Sequence, residues 1–184
     1  MRFSFLIFLP SLALAGNLHG KVAKNLVAGY TDAIVYITEV PGKTFPVPAR
    51  PVTLEQRGQA FAPHVLPILR GTTVKFPNND RIRHNVFSPA GPKPFNFGIY
   101  PPGAEKQLVF DQLGVVMLLC NIHENMSAFI LVLQNPFFAA VGGDGKYTLE
   151  NIPDGAYSVS LWAEGKPPQT RKVTIHGDTE LDFR

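Results

Sequence analysis

Hydrophobic residues in this chain come in short runs with a period of two, separated by Gly, Pro, Asn and Asp, and a helical period is almost absent. The pattern predicts strands at 33–40, 52–56, 72–76, 107–110, 115–119, 128–133, 147–149, 156–162 and 171–175. Tyr157, Val159 and Leu161 alternate with Ser158 and Ser160, as in a half-buried strand. Val115-Val116-Met117-Leu118-Leu119 is apolar on both faces and reads as a strand enclosed inside a sandwich. Seventeen prolines and sixteen glycines suit the many turns and edge strands of an all-β chain.

Turns divide the chain. Pro41-Gly42-Lys43-Thr44-Phe45-Pro46-Val47-Pro48 reads as a linker and Gln134-Asn135-Pro136 as a second, which sets 50–134 apart as one segment. Beyond it, Gly142-Gly143-Asp144-Gly145 and Pro153-Asp154-Gly155 are tight turns, predicting a compact antiparallel meander. That meander is too small to bury a core alone and needs a partner strand from elsewhere.

The amino terminus changes the picture of where the protein works. Met1-Arg2 precedes an apolar run at 3–14 that ends in Ala13-Leu14-Ala15, with small residues where a signal peptidase inspects the chain. The run is shorter than the roughly twenty residues needed to span a bilayer, and Pro10 interrupts it. The expectation is a cleaved signal peptide at 1–15 and an exported mature chain, in the bacterial periplasm, with no transmembrane segment. Asn125-Met126-Ser127 matches a glycosylation sequon, read as accidental in a bacterial setting.

Net charge is +3, and the basic residues are scattered, which argues against a nucleic-acid partner. Segment 50–134 carries eight Lys and Arg against five acids, enough to tune docking and no more. A single cysteine, Cys120, excludes an internal disulfide, and an unpaired thiol in an oxidising compartment needs another reason to be there.

That reason lies beside it. His84, taken with Cys120-Asn121-Ile122-His123-Glu124-Asn125-Met126, supplies two imidazoles, one thiol and one thioether, with Glu124 as a harder rival. A trigonal plane of two histidines and a cysteine with a weak axial methionine suits copper, because the thiolate favours the reduced ion and the imidazoles the oxidised one. Met117 is a competing thioether, but it stands three residues before Cys120 on an extended strand and points to the opposite face. His19 and His176 fall outside the segment, and His64, in Phe61-Ala62-Pro63-His64, ranks well below the others as a ligand. Zinc is the inorganic rival, although structural zinc sites take four Cys or His ligands.

Phe61-Ala62-Pro63, the stretch 71–80 from Gly71-Thr72-Thr73 to Asn78-Asn79-Asp80, His84-Asn85-Val86-Phe87-Ser88, and Cys120-x2-His123-x2-Met126 together resemble a plastocyanin-type cupredoxin across 50–134. The short ligand loop is similar to that of amicyanin, and the wider pattern resembles exported methylamine utilisation proteins. The resemblance implies a Greek-key β-sandwich holding one type 1 copper on His84, Cys120, His123 and Met126. It further implies that Asn85 hydrogen-bonds from an outer position across to the ligand loop and its sulfur. Leu119 replaces the tyrosine that precedes the cysteine in plastocyanin, which leaves the edge of His123 as the implied electron route.

The flanks have their own likeness. Gly145-Lys146-Tyr147-Thr148-Leu149 with Asn151-Ile152-Pro153-Asp154-Gly155-Ala156-Tyr157 resembles a carboxypeptidase regulatory-like β-sandwich, whose opening strands are matched by Gly20-Lys21-Val22 and Ala33-Ile34-Val35-Tyr36-Ile37. The expected organisation pairs 17–42 with 137–184 in one small sandwich and inserts the copper segment between them.

The expected function is one-electron transfer by a monomer, between redox proteins docking near His123, without catalysis. A copper carrier or sensor, and a sandwich that binds a sugar or protein through Trp162 and Tyr157, are the alternatives.

Overall fold

The computed structural model describes residues 15–29 and 32–184. The predicted signal segment lies outside them except for Ala15, which opens the first strand, Ala15–Lys21. The architecture is all-β: seventeen strands in five sheets among the described residues, with a 3-10 turn at Lys24–Leu26.

Two sheets enclose the central core. Thr72–Pro77 lies between Glu105–Phe110 and Val52–Thr53, and Ser127–Leu133 lies between Val65–Leu69 and Gly114–Leu119, with Phe87–Ser88 and Phe95–Asn96 extending the second sheet. Alternation in Thr72–Pro77 buries Thr72, Val74 and Phe76, and their neighbours include Phe110, Val116, Leu118, Ile130 and Val132. Phe76 is fully buried among the rings of Phe95, Phe97 and Phe110. Burial of aromatic surface of this size is the main stabilising term available to so small a sandwich.

The strand Gly114–Leu119 departs from the expected enclosure on both faces. Val116 and Leu118 are fully buried, but Val115 is 38% and Met117 40% exposed. Its apolar outer side is solvated because the neighbouring half of the molecule packs on Ser127–Leu133 and Val65–Leu69 and stops short of it.

In the second half, Ala15–Lys21 pairs antiparallel with Lys146–Pro153 and parallel with Asp178–Glu180. Ala33–Ile37 lies between Phe138–Ala140 and Gly155–Ala163, which pairs on its other side with Gln169–Ile175. Gly20 is required here, since a Cβ would collide with the Leu181 carbonyl. The expected meander is corrected: the consecutive strands Lys146–Pro153 and Gly155–Ala163 belong to different sheets. They sandwich Leu18, Val35, Ile37, Tyr147, Leu149, Val159 and Phe183 between them, which a single meander could not bury.

A third apolar cluster joins the two cores. Ile34 and Trp162 pack with Val65, Leu131 and Leu133, and the Phe129 and Trp162 rings lie 5.3 Å apart. His64 adds a polar clasp, its Nε2 2.7 Å from the Glu164 carboxylate and its Nδ1 3.0 Å from the Ser127 carbonyl. The aromatic pair contributes more than the exposed His64–Glu164 pair, which is worth at most about 1 kcal/mol.

Replacing Trp162, 7% exposed in that junction, by alanine is expected to cost about 3 kcal/mol in chemical denaturation followed by circular dichroism. A loss below about 0.5 kcal/mol, the size of an ordinary surface substitution, would show that the junction contributes little.

Candidate metal centre

The strand Thr72–Pro77 delivers the loop that ends in His84. Asn78, fully buried, fixes that loop: its Nδ2 donates to the Ile82 carbonyl at 2.8 Å and its Oδ1 accepts from the Asp80 N–H at 3.1 Å. His84 is then pinned by its own backbone to Tyr100, with N···O distances of 3.2 and 2.9 Å. Gly114–Leu119 delivers Cys120 at its end, and the turn to Ser127–Leu133 is closed by Cys120 N–H to the Met126 carbonyl at 3.2 Å and Met126 N–H to the His123 carbonyl at 3.1 Å.

The result is a compact group of donors. Cys120 Sγ lies 3.9 Å from His84 Nδ1 and 4.0 Å from His123 Nδ1, and ligand atoms of all three residues lie within 4.8 Å of one another. Metal–nitrogen bonds near 2.0 Å and metal–sulfur bonds near 2.3 Å would separate such donors by roughly 3.4–3.8 Å in a tetrahedral or trigonal site, so one metal ion fits if the donors draw in by a few tenths of an ångström. His84 is fully buried, Cys120 is 6% exposed and His123 is partly open to solvent. Met126 is 1% exposed and belongs to the same core cluster as Cys120. The donors are soft sulfur and borderline nitrogen, suited to a transition metal and unsuited to magnesium or calcium.

Asp80, which the sequence places only at the end of the stretch 71–80 and to which it assigns no role, belongs to the centre. Its Oδ2 lies 3.0 Å from His84 Nε2, on the side of the ring away from the thiol. The Gln59 backbone N–H, 2.7 Å away, is the main cause holding the Asp80 carboxyl below its ordinary value, and His84 adds to it. The carboxylate therefore stays ionised and receives the outer ring nitrogen, leaving Nδ1 for a metal. A carboxylate four residues before the candidate His84 was the available signal.

Asn85 does not make the expected bond across to the ligand loop. Its Nδ2 donates instead to Asn96 Oδ1 at 3.0 Å, which also accepts from the Gly98 N–H at 2.9 Å, and its own Oδ1 is buried without a partner. The acceptor belongs to the neighbouring strand Phe95–Asn96.

The remaining sequence candidates are placed elsewhere. Met117 is on the outer face, Glu124 is exposed, and His64 is committed to Glu164 and Ser127. His19 is exposed, and His176 is 79% exposed beside Asp154. Trp162 and Tyr157 are buried and offer no aromatic platform.

No protein-family model matches the chain, and no curated protein does. Among solved structures, a copper-containing nitrite reductase from Thermus scotoductus is similar at 30% identity over 54% of this chain, with a TM-score of 0.45. This chain spans a quarter of that protein's length. A purple cupredoxin from Nitrosopumilus maritimus is 24% identical over 44% of this chain and 98% of its own, at a TM-score of 0.41. A reduced Cu(I) form of an amicyanin mutant is 19% identical over 55% of this chain and 98% of its own, at a TM-score of 0.43. The resemblance is to cupredoxins.

Tyr100 supports the loop from below: its hydroxyl donates to the Phe76 carbonyl at 3.0 Å and accepts from Gln56. Burial pushes its pKa up to about 12, with the nearby Cys120 adding to the rise and the Gln56 hydrogen bond opposing it. Because the folded value lies above the ordinary 10, this group's stabilising contribution is complete below pH 10 and lost as pH rises through about 12. Tyr100→Phe is expected to cost about 1–3 kcal/mol at pH 7, by leaving buried groups unpartnered, and to flatten the decline in stability between pH 10 and about 12. Denaturant titrations at several pH values read both effects; an unchanged decline in the variant would assign the alkaline loss to another group.

Proposed function

We propose that the chain is an exported, periplasmic one-electron carrier with a single type 1 copper on His84, Cys120, His123 and Met126, housed in a cupredoxin domain at 50–134. In the same proposal, 17–42 and 137–184 form a carboxypeptidase regulatory-like sandwich interrupted by that domain, residues 1–15 are its signal peptide, and the protein works as a monomer. The observation that carries the reading is the buried thiol flanked by two imidazole nitrogens at 3.9 and 4.0 Å, a gap of ion size.

Copper, when bound, supplies a one-electron couple, the thiolate stabilising its reduced state and the imidazoles its oxidised state. The chain's part is to hold donors still. Cys120 sits at a strand end, the loop 120–126 is closed by its own backbone hydrogen bonds, and His84 is gripped by Asp80 and Tyr100. A preorganised site requires little rearrangement when the electron arrives or leaves. Met126, buried beside Cys120 in sequence-local backbone contact, would be the fourth residue to hold the ion in this reading, and Asn85 orders the segment carrying His84 through Asn96. His123 alone of the three nitrogen and thiol donors reaches solvent, which makes its edge the exit for the electron and the docking point for redox proteins.

Full burial of His84 and near-full burial of Cys120 and Met126 count against an exchangeable copper carrier or sensor. Among the described residues, His84, Cys120 and His123 form the one cluster of metal-binding side chains. No described helix is long and apolar enough to cross a membrane.

Cu(II) added to the purified mature protein is expected to give an intense blue thiolate-to-copper band that Cys120→Ser abolishes. A colourless protein would defeat the copper reading.

Asp80→Asn removes the charge that makes His84 a stronger donor, so the oxidised centre loses stabilisation and the reduction potential rises. Spectroelectrochemical titration measures it; a fall, or no change, would mean that the carboxylate does not act through the ligand.

A further inference from the structure

The loop that precedes the buried His84 presents a solvent face of its own. Arg81, Ile82 and Arg83 are all exposed, with Ile82 at 39%. Two further isoleucines stand next to site residues: Ile99, 59% exposed, precedes Tyr100, which is bonded to His84, and Ile122, 40% exposed, precedes His123. Isolated exposed aliphatic residues are ordinary, but three at one pole of a sandwich, each adjoining a residue of the site, mark a surface that sheds water on contact.

Charge decides what that surface meets. The carboxylates nearby are already engaged: Asp80 with His84 and the Gln59 N–H, Glu55 with Arg57 and Asn79, and Glu105 with Lys75. Neither Arg81 nor Arg83 has an ion-pair partner among the described residues, and Glu124 in the ligand loop is the one free acid of the pole. Two guanidinium groups with free forks beside an apolar contact suit planar carboxylates on an opposing protein.

We propose that the Arg81–Ile82–Arg83 loop is the recognition element for the redox partner, and that this partner is a protein whose electron-exchange site is ringed by Asp and Glu around an apolar centre. The proposal rests on the electron-carrier reading above. The carboxylates steer the encounter and fix orientation, and the isoleucines exclude water over the His123 edge, so electrostatics governs the rate of docking more than its strength.

The test uses two one-electron oxidants of opposite charge, hexacyanoferrate(III) and tris(phenanthroline)cobalt(III), acting on the reduced, copper-loaded protein. One electron leaves the reduced centre and reduces the iron or cobalt from the trivalent to the divalent state, and no proton moves. Arg81→Glu with Arg83→Glu is expected to slow hexacyanoferrate(III) about tenfold at 0.1 M ionic strength and to accelerate the cobalt complex. Arg50→Glu with Arg70→Glu is the control for net charge. Those arginines lie near the Thr72 end of the strand Thr72–Pro77, whose six residues place them roughly 20 Å from the loop, about two Debye lengths. The control is expected to leave both rates within about twofold of the native protein.

The proposal is overturned if the loop variant keeps its blue band and both rates, or if both pairs of substitutions act alike. Absence of the band in the native protein is a separate result: it defeats the copper reading before any rate is measured, and the partner assignment with it.

Discussion

Everything at the candidate centre depends on keeping polar donors dry and in place. His84 is fully buried, and an imidazole taken from water without a partner on its outer nitrogen would cost about 1–3 kcal/mol. Asp80 removes that cost, and the Gln59 N–H in turn keeps Asp80 ionised. The chain of contacts runs from backbone to carboxylate to imidazole, so the geometry of the inner nitrogen is set by groups that touch no metal. Cys120 and Met126 are held differently, by a loop short enough to close on itself through main-chain hydrogen bonds.

The two halves of the molecule meet along one apolar seam that also serves the centre. Ser127–Leu133 contributes Ala128, Ile130 and Val132 to the central core and Leu131 and Leu133 to the seam, so one strand is buried on both faces. That strand begins directly after Met126. His64 touches the Ser127 carbonyl and Glu164 together, placing a residue of the second half within two contacts of the ligand loop. The neighbouring strand escapes this double burial, which explains the exposed side chains of Val115 and Met117.

Sequence patterning located most strands because alternation and turn residues are local signals. It passed over Val65–Leu69, where Pro67 breaks the expected strand composition, and a sheet-edge position is what allows that proline. It also passed over Phe87–Ser88, Phe95–Asn96 and Phe138–Ala140, which are too short to show a period. The meander failed for a different reason: a tight turn at Pro153-Asp154-Gly155 shows that the chain reverses, not whether the next strand joins the same sheet.

By itself the sequence determined the all-β class, the turns, and a set of donors whose chemistry suits a soft metal, since Cys120, His123 and Met126 are neighbours in the chain and their spacing is a local property. Only the tertiary structure decided that His84, thirty-six residues away, comes within 3.9 Å of the thiol, that Asp80 faces its far nitrogen, and that Asn85 turns toward Asn96. Those contacts arise from how the two sheets pack, and packing depends on non-local burial that no window of sequence contains.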